Sequence, residues 1–168
     1  MAQMIAYFSR TGENYVNGTI KNLTVGNTEI AANLLSEITG GELFQIIPVQ
    51  AYSDNYNACI AEAQDDQRRD ARPELEEYPE SLEGYDTVYL GYPNYWGTMP
   101  MCVFTFLEHF DFSGKTIKPF CTHEGSGMGR SEADIKRLCP GAKVEKGLAI
   151  HGADVSHSKA ALQTWSRK

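Results

Sequence analysis

Apolar positions along the chain fall into two spacings that take turns from one end to the other. Met4 to Phe8 (MIAYF) is a short unbroken apolar run closed by polar turn residues, which predicts a buried strand. Asn27 to Ile38 places Ile30, Ala31, Leu34, Leu35 and Ile38 on one helical stripe, with Asn27 as the expected N-cap and Gly40-Gly41 as the stop. Glu42 to Ile47 predicts a second strand, closed by Pro48. Ser53 to Arg72 predicts a strongly polar helix whose mixed charges, Asp65, Asp66, Arg68, Arg69 and Asp70, form a solvated face. An acidic connector from Pro73 to Gly84 leads to a third strand at Thr87 to Leu90.

The alternation continues to the C-terminus. A helix follows Pro100, with Val103, Phe106, Leu107 and Phe110 as its apolar positions. Thr116 to Cys121 predicts a fourth strand, Ser131 to Leu138 a helix, Val144 to Ile150 a fifth strand, and Ser156 to Ser166 a last helix. Strand and helix in regular succession predict an α/β doubly wound domain, a five-stranded parallel sheet covered on both faces, built as one domain over residues 1–168. Pro119 inside the fourth strand cannot donate to a ladder, so a bulge or strand end is expected there.

Three loops leaving strand C-termini have unusual compositions: Ser9 to Val25, Pro93 to Met99, and Thr122 to Gly129. In open α/β sheets, ligands bind beyond those strand ends. The first loop combines the hydroxyls of Ser9 and Thr11, the tight turn of Gly12, and a helix N-terminus at Asn27-Thr28, a setting that favours an anion. No lysine follows in a nucleotide-triphosphate pattern, so a monophosphate fits better. The second loop sets Tyr95 and Trp96 beside Gly97, rings able to stack on a flat heterocycle. The third is thin, with Gly125, Gly127 and Gly129 and the donors Thr122 and Ser126. Each loop alone reads equally well as a turn, a core cover or a connector; their common edge argues for a shared ligand site.

Composition narrows the partners. A net charge of −7 over 168 residues, from 15 basic and 22 acidic side chains, disfavours nucleic acid and anionic membrane surfaces. No apolar run approaches a membrane span, and no basic leader opens the chain. Cys59, Cys102, Cys121 and Cys139 are scattered without a C-x-x-C pair, which suggests reduced thiols and a cytoplasmic protein. No metal is expected, because His151, Asp154 and His157 lack a further ligand at fixed spacing.

Ser9-Arg10-Thr11-Gly12, then Pro93-Asn94-Tyr95-Trp96-Gly97, then Cys121-Thr122 with Gly125-Ser126-Gly127, together resemble the flavodoxin family. The resemblance implies strand order 2-1-3-4-5 and FMN as cofactor. It carries Ser9, Arg10, Thr11, Asn27 and Thr28 onto the phosphate loop, Pro93, Asn94, Tyr95, Trp96 and Gly97 onto one ring loop, and Thr122, His123, Glu124, Gly125, Ser126 and Gly127 onto the other. A backbone carbonyl near Gly97 would then accept a hydrogen bond from N5 of reduced flavin and stabilise a neutral semiquinone. The chain departs from the family at Glu13 to Val25, which interrupts the phosphate loop. The expectation is one site, split, with Thr11 and Asn27-Thr28 converging on the phosphate and Asn14, Tyr15 and Gly26 beside them. The implied function is electron transfer with redox partner proteins or a small-molecule acceptor, as a monomer or homodimer. The alternative is an NAD(P)H-dependent quinone or nitro-compound reductase using FMN.

Overall fold

The computed structural model describes residues 2–168 and contains a parallel sheet with helices on both faces. Strand β1 spans Ala2–Tyr7, β4 Glu42–Gln45, β5 Tyr85–Pro93 and β6 Thr116–His123, and the sheet runs β4-β1-β5-β6 before ending on β7 (Lys143–Val144) and β8 (Leu148–His151), both paired to β6. With β7 and β8 read as one interrupted strand, this is the expected order 2-1-3-4-5. The five helices are α1 (Asn27–Thr39), α2 (Tyr56–Arg68), α3 (Met101–His109), α4 (Ser131–Leu138) and α5 (Lys159–Ser166).

Period-2 alternation along buried strands divides the core in two. Met4, Ala6 and Phe8 face one way, with Val88, Leu90 and Tyr92, beneath α3 and α4. Ile5 and Tyr7 face the other way, with Tyr89 and Phe120, against α1 and Trp165 of α5.

Several boundaries differ from the pattern-based reading, each for a local reason. The polar helix is shorter than Ser53 to Arg72 because Asn55 caps it, accepting from the Ala58 N–H at 2.9 Å, and Asp70 turns left-handed at φ 49° beyond its end. The third and fourth strands run farther than expected, so Pro93, Thr122 and His123 are strand residues that deliver their loops to the sheet edge. The last helix is preceded by a separate 3-10 segment, Gly152–His157.

The fifth strand is broken opposite Pro119. The Ile117 carbonyl accepts from the Glu145 N–H, so Ile117 and, two residues on, Pro119 point their backbone groups toward the fifth strand. Pro119 has no N–H to offer there. The register accordingly slips: Ile117 pairs with Val144, but Phe120 pairs with Leu148. One extra residue is accommodated in Glu145–Gly147, so the irregularity expected at Pro119 falls on the neighbouring strand, while the fourth strand itself runs unbroken from Thr116 to His123.

The largest feature absent from the pattern-based reading is a β-hairpin inside the first loop. Strands β2 (Gly12–Val16) and β3 (Thr19–Leu23) pair antiparallel from Gly12↔Leu23 to Val16↔Thr19. Asn17 and Gly18 join them with φ of 52° and 87°, the double left-handed geometry of a type I′ turn.

Candidate functional site

The C-terminal ends of β1, β5 and β6 open into one cavity of about 380 Å³, within the range of small-molecule sites. Arg10, Asn14 and Tyr15 line it from the first loop, Asn27 and Thr28 from α1, Pro93 to Gly97 from the second loop, and Thr122, His123, Glu124 and Ser126 from the third. The three loops thus meet as expected. Thr11 is exposed and, like Ser9, Gly26, Gly125 and Gly127, lies outside the lining. Pattern reading missed Tyr56, Cys59, Ile60 and Ala63 on α2, and Gly152 after β8. The polar character of α2 concealed its inner face, where Cys59 and Ala63 are buried.

The hairpin explains how an interrupted loop can build one site. Pairing of Gly12 with Leu23 folds the insertion back on itself, so its two stems emerge side by side. Gly26 then abuts Ser9 and Arg10 so closely that a Cβ there would overlap Ser9 Oγ and stand 2.5 Å from the Arg10 carbonyl oxygen. Asn27 is not the N-cap of α1. Gly26 occupies that position without a side chain, and Ser9 Oγ accepts from the Glu29 N–H at 3.0 Å in its place. Neither Asn27 nor Thr28, the first two helical residues, has an intrahelical partner for its N–H. Thr28 Oγ1 lies 2.8 Å from Thr122 Oγ1, tying the helix start to the third loop.

The hairpin is clamped on both sides. Glu13 Oε1 accepts from the Tyr56 N–H at 2.7 Å, at the start of α2. Arg10 donates to the Glu13 and Asp54 carbonyls, and the Tyr15 and Tyr56 rings lie 5.9 Å apart. Across the cavity, the Asn17 N–H donates to Glu124 Oε2 at 3.1 Å.

The aromatic end is held by Asn94. Its backbone N–H donates to the Thr122 carbonyl, its Nδ2 to the Gly127 carbonyl, and its Oδ1 accepts from the Gly97 N–H, each at 2.9 Å. Trp96 and Gly97 both adopt left-handed φ, 54° and 88°, in a turn closed by reciprocal Tyr95–Thr98 backbone bonds. Trp96 remains 45% exposed at the mouth and donates Nε1–H to the Ile60 carbonyl at 2.8 Å. The Tyr95 ring packs edge-on against Phe8 and Tyr52. The Gly97 carbonyl accepts from the Arg130 N–H at 2.7 Å, tying the second loop to the start of α4.

Burial sets the protonation of the lining. It pushes the Tyr95 phenol well up and raises the Cys59 thiol, which Arg10 opposes. The His123 imidazole is lowered by burial first and by His151 second. The walls therefore present neutral phenol, thiol and imidazole at neutral pH. This suits binding and orienting a polar aromatic ligand more than nucleophilic attack. No helix among the described residues is long and apolar enough to cross a membrane, and none of their His, Cys, Asp and Glu side chains group as a metal site.

Comparison with known proteins places the chain by family and fold. A family model describing flavodoxins matches residues 3–168. No curated protein matches the chain. Among solved structures, a candidate flavoprotein of Bacteroides eggerthii is 28% identical, with a TM-score of 0.77 over 99% of this chain and 96% of that one. One from Bacteroides uniformis is 29% identical, with a TM-score of 0.76 over 99% and 98%. A flavoprotein of Lactobacillus acidophilus, solved in complex with FMN, shares the fold at 17% identity and a TM-score of 0.65 over 93% and 97%.

Proposed function

This chain belongs to the flavodoxin family, and from that premise we propose that it binds FMN and passes electrons between redox partners. The observation that carries the reading is the meeting, in one cavity, of a helix N-terminus whose Asn27 and Thr28 amides are free with a wall of Tyr15, Tyr56, Tyr95 and Trp96. The amide end suits a phosphate and the aromatic end suits a flat ring. The bare Gly26 allows the two stems of the first loop to close around that phosphate.

FMN, when bound, accepts and returns one or two electrons. The chain supplies the rest. The N–H groups of Asn27 and Thr28 and the Arg10 guanidinium hold the anionic end. Asn94 fixes both ring loops against each other, which would hold a bound ring in one position. Tyr95 and Trp96 would shield the ring from water, and the exposed edge of Trp96 leaves the mouth open to a partner. The proposed partners are redox proteins or a small-molecule acceptor, met in the cytoplasm by a monomer or homodimer.

The test begins with fluorescence titration of FMN into purified protein. Quenching that saturates at one flavin per chain is expected; no saturable binding refutes the reading. The loaded protein is then mixed with NADH or NADPH and a quinone or nitro compound. A carrier is reduced by dithionite and reoxidised by the acceptor without sustained nicotinamide consumption. Sustained consumption replaces this reading with the FMN-dependent reductase.

A further inference from the structure

Glu124 Oε1 is buried and has no hydrogen-bond partner, alone among the side-chain polar atoms of the described residues. Native proteins leave few such groups. Its carboxyl partner atom is engaged: Glu124 Oε2 accepts from the Asn17 N–H at 3.1 Å and lies 3.5 Å from His151 Nε2. The carboxyl plane is therefore held by the hairpin turn on one side and β8 on the other, with one oxygen left unused. Glu124 lines the cavity.

Gly152 shows what surrounds that oxygen. A Cβ built there would stand 2.7 Å from Asn27 Nδ2 and 2.8 Å from Glu124 Oε1. A donor and an unused acceptor thus flank the same bare glycine, beside the first residue of α1. Each hydroxyl of a polyol both donates and accepts, so neighbouring hydroxyls match such a pair. A phosphate dianion has no proton for Glu124 and would be repelled by it. The isoalloxazine ring has its own wall at Tyr95 and Trp96.

We infer that Glu124 and Asn27 recognise the hydroxyl-bearing ribityl chain between the ring and the phosphate, with a ribityl O–H donating to Glu124 Oε1 and Asn27 Nδ2 donating to a ribityl oxygen. Glu124 is then a specificity residue for flavins that carry a polyol. The inference rests on the FMN-binding reading.

Substitution Glu124→Gln tests it with an isosteric side chain. The Asn17 N–H requires an acceptor at the Oε2 position, so the amide oxygen takes that place and the NH₂ group points to the unused one. The acceptor facing the ribityl chain becomes a donor. Dissociation constants for FMN, riboflavin and lumiflavin, which has a methyl in place of the polyol, are measured by flavin fluorescence on the unmutated chain and on E124Q.

The expected result is a loss of about tenfold or more for riboflavin, a somewhat smaller loss for FMN, whose phosphate is relieved of a nearby carboxylate, and no change for lumiflavin. Gly152→Ala, which wedges a methyl between the same two atoms, should give the same ordering. Thermal midpoints of both unliganded variants check that they fold. Equal losses for all three flavins, or none, overturn the inference, as does an unmutated chain that binds lumiflavin as tightly as riboflavin. Failure of the unmutated chain to bind any flavin removes the FMN reading and this inference with it, and is distinguished by being read before any substitution.

Discussion

Gly26→Ala separates two opposing effects that local reasoning alone would get wrong. Gly26 sits at φ −69° and ψ 155°, where alanine is at ease. Replacing glycine by alanine at such a position should stabilise by about 0.4–1 kcal/mol, through the unfolded chain. The tertiary contact opposes this. The new methyl would overlap Ser9 Oγ and approach the Arg10 carbonyl oxygen to 2.5 Å and its carbon to 2.9 Å. Ser9 can rotate away, but only by giving up the Glu29 N–H, a capping bond worth about 1 kcal/mol. Arg10 offers backbone, which can relieve the overlap only by moving the loop, at about 1–3 kcal/mol for overpacking. The net expectation is destabilisation by about 1–3.5 kcal/mol, the sum of the cap and overpacking less the entropic gain. Urea unfolding measures it, with an FMN titration on the same samples. Because Ser9 and Gly26 share one contact, Ser9→Ala/Gly26→Ala should lose less than the two single changes added together. Unchanged or increased stability in Gly26→Ala would show that the loop stems are not closed on each other, and the single-site argument would fall with them.

Trp96→Ala should weaken FMN binding about three- to tenfold, the range for loss of one stacked aromatic. Intrinsic fluorescence checks the mechanism, since the remaining Trp165 is 7% exposed in the core and its share of the quenching should persist. His123 is lowered by burial and by His151, so the unfolded chain takes up a proton just below the ordinary histidine value while the folded chain resists it. Stability should therefore fall as pH drops through that window and level off below the folded value, and His123→Gln should flatten the profile in urea melts taken at successive pH values. All four cysteines are buried and free, with burial pushing Cys121 up to about 12 and Cys139 to about 11. A thiol reagent at neutral pH should label the native protein slowly and all four positions promptly in urea. Prompt native labelling would contradict the packing of these side chains.

The fold was legible because parallel strands buried on both faces leave unbroken apolar runs, and MIAYF needs no tertiary knowledge to be read as one. The three loops were legible from composition at strand ends. The hairpin was signalled by Asn17-Gly18, a turn dipeptide that favours type I′ geometry, but of its flanking residues only Val16 is buried and they show no apolar alternation. Ser9 as cap of α1 could not be read locally, because donor and acceptor lie 20 residues apart. The unpartnered oxygen of Glu124, an expected site residue, was likewise hidden, since it depends on Asn17, 107 residues away, engaging the other carboxyl oxygen. The α2 wall was missed because one helix face carries the Arg69–Asp65 and Arg69–Asp66 ion pairs while the other carries Cys59 and Ala63.

The slip opposite Pro119 also bears on how this molecule behaves in a crowd. An open sheet has two outer strands whose unused N–H and C=O groups can recruit a strand from another chain. Here one border is the four-residue β4 and the other is divided into pieces of two and four residues. Neither offers a long straight template. The same missing N–H that interrupts the ladder also helps protect the sheet against edge-to-edge aggregation.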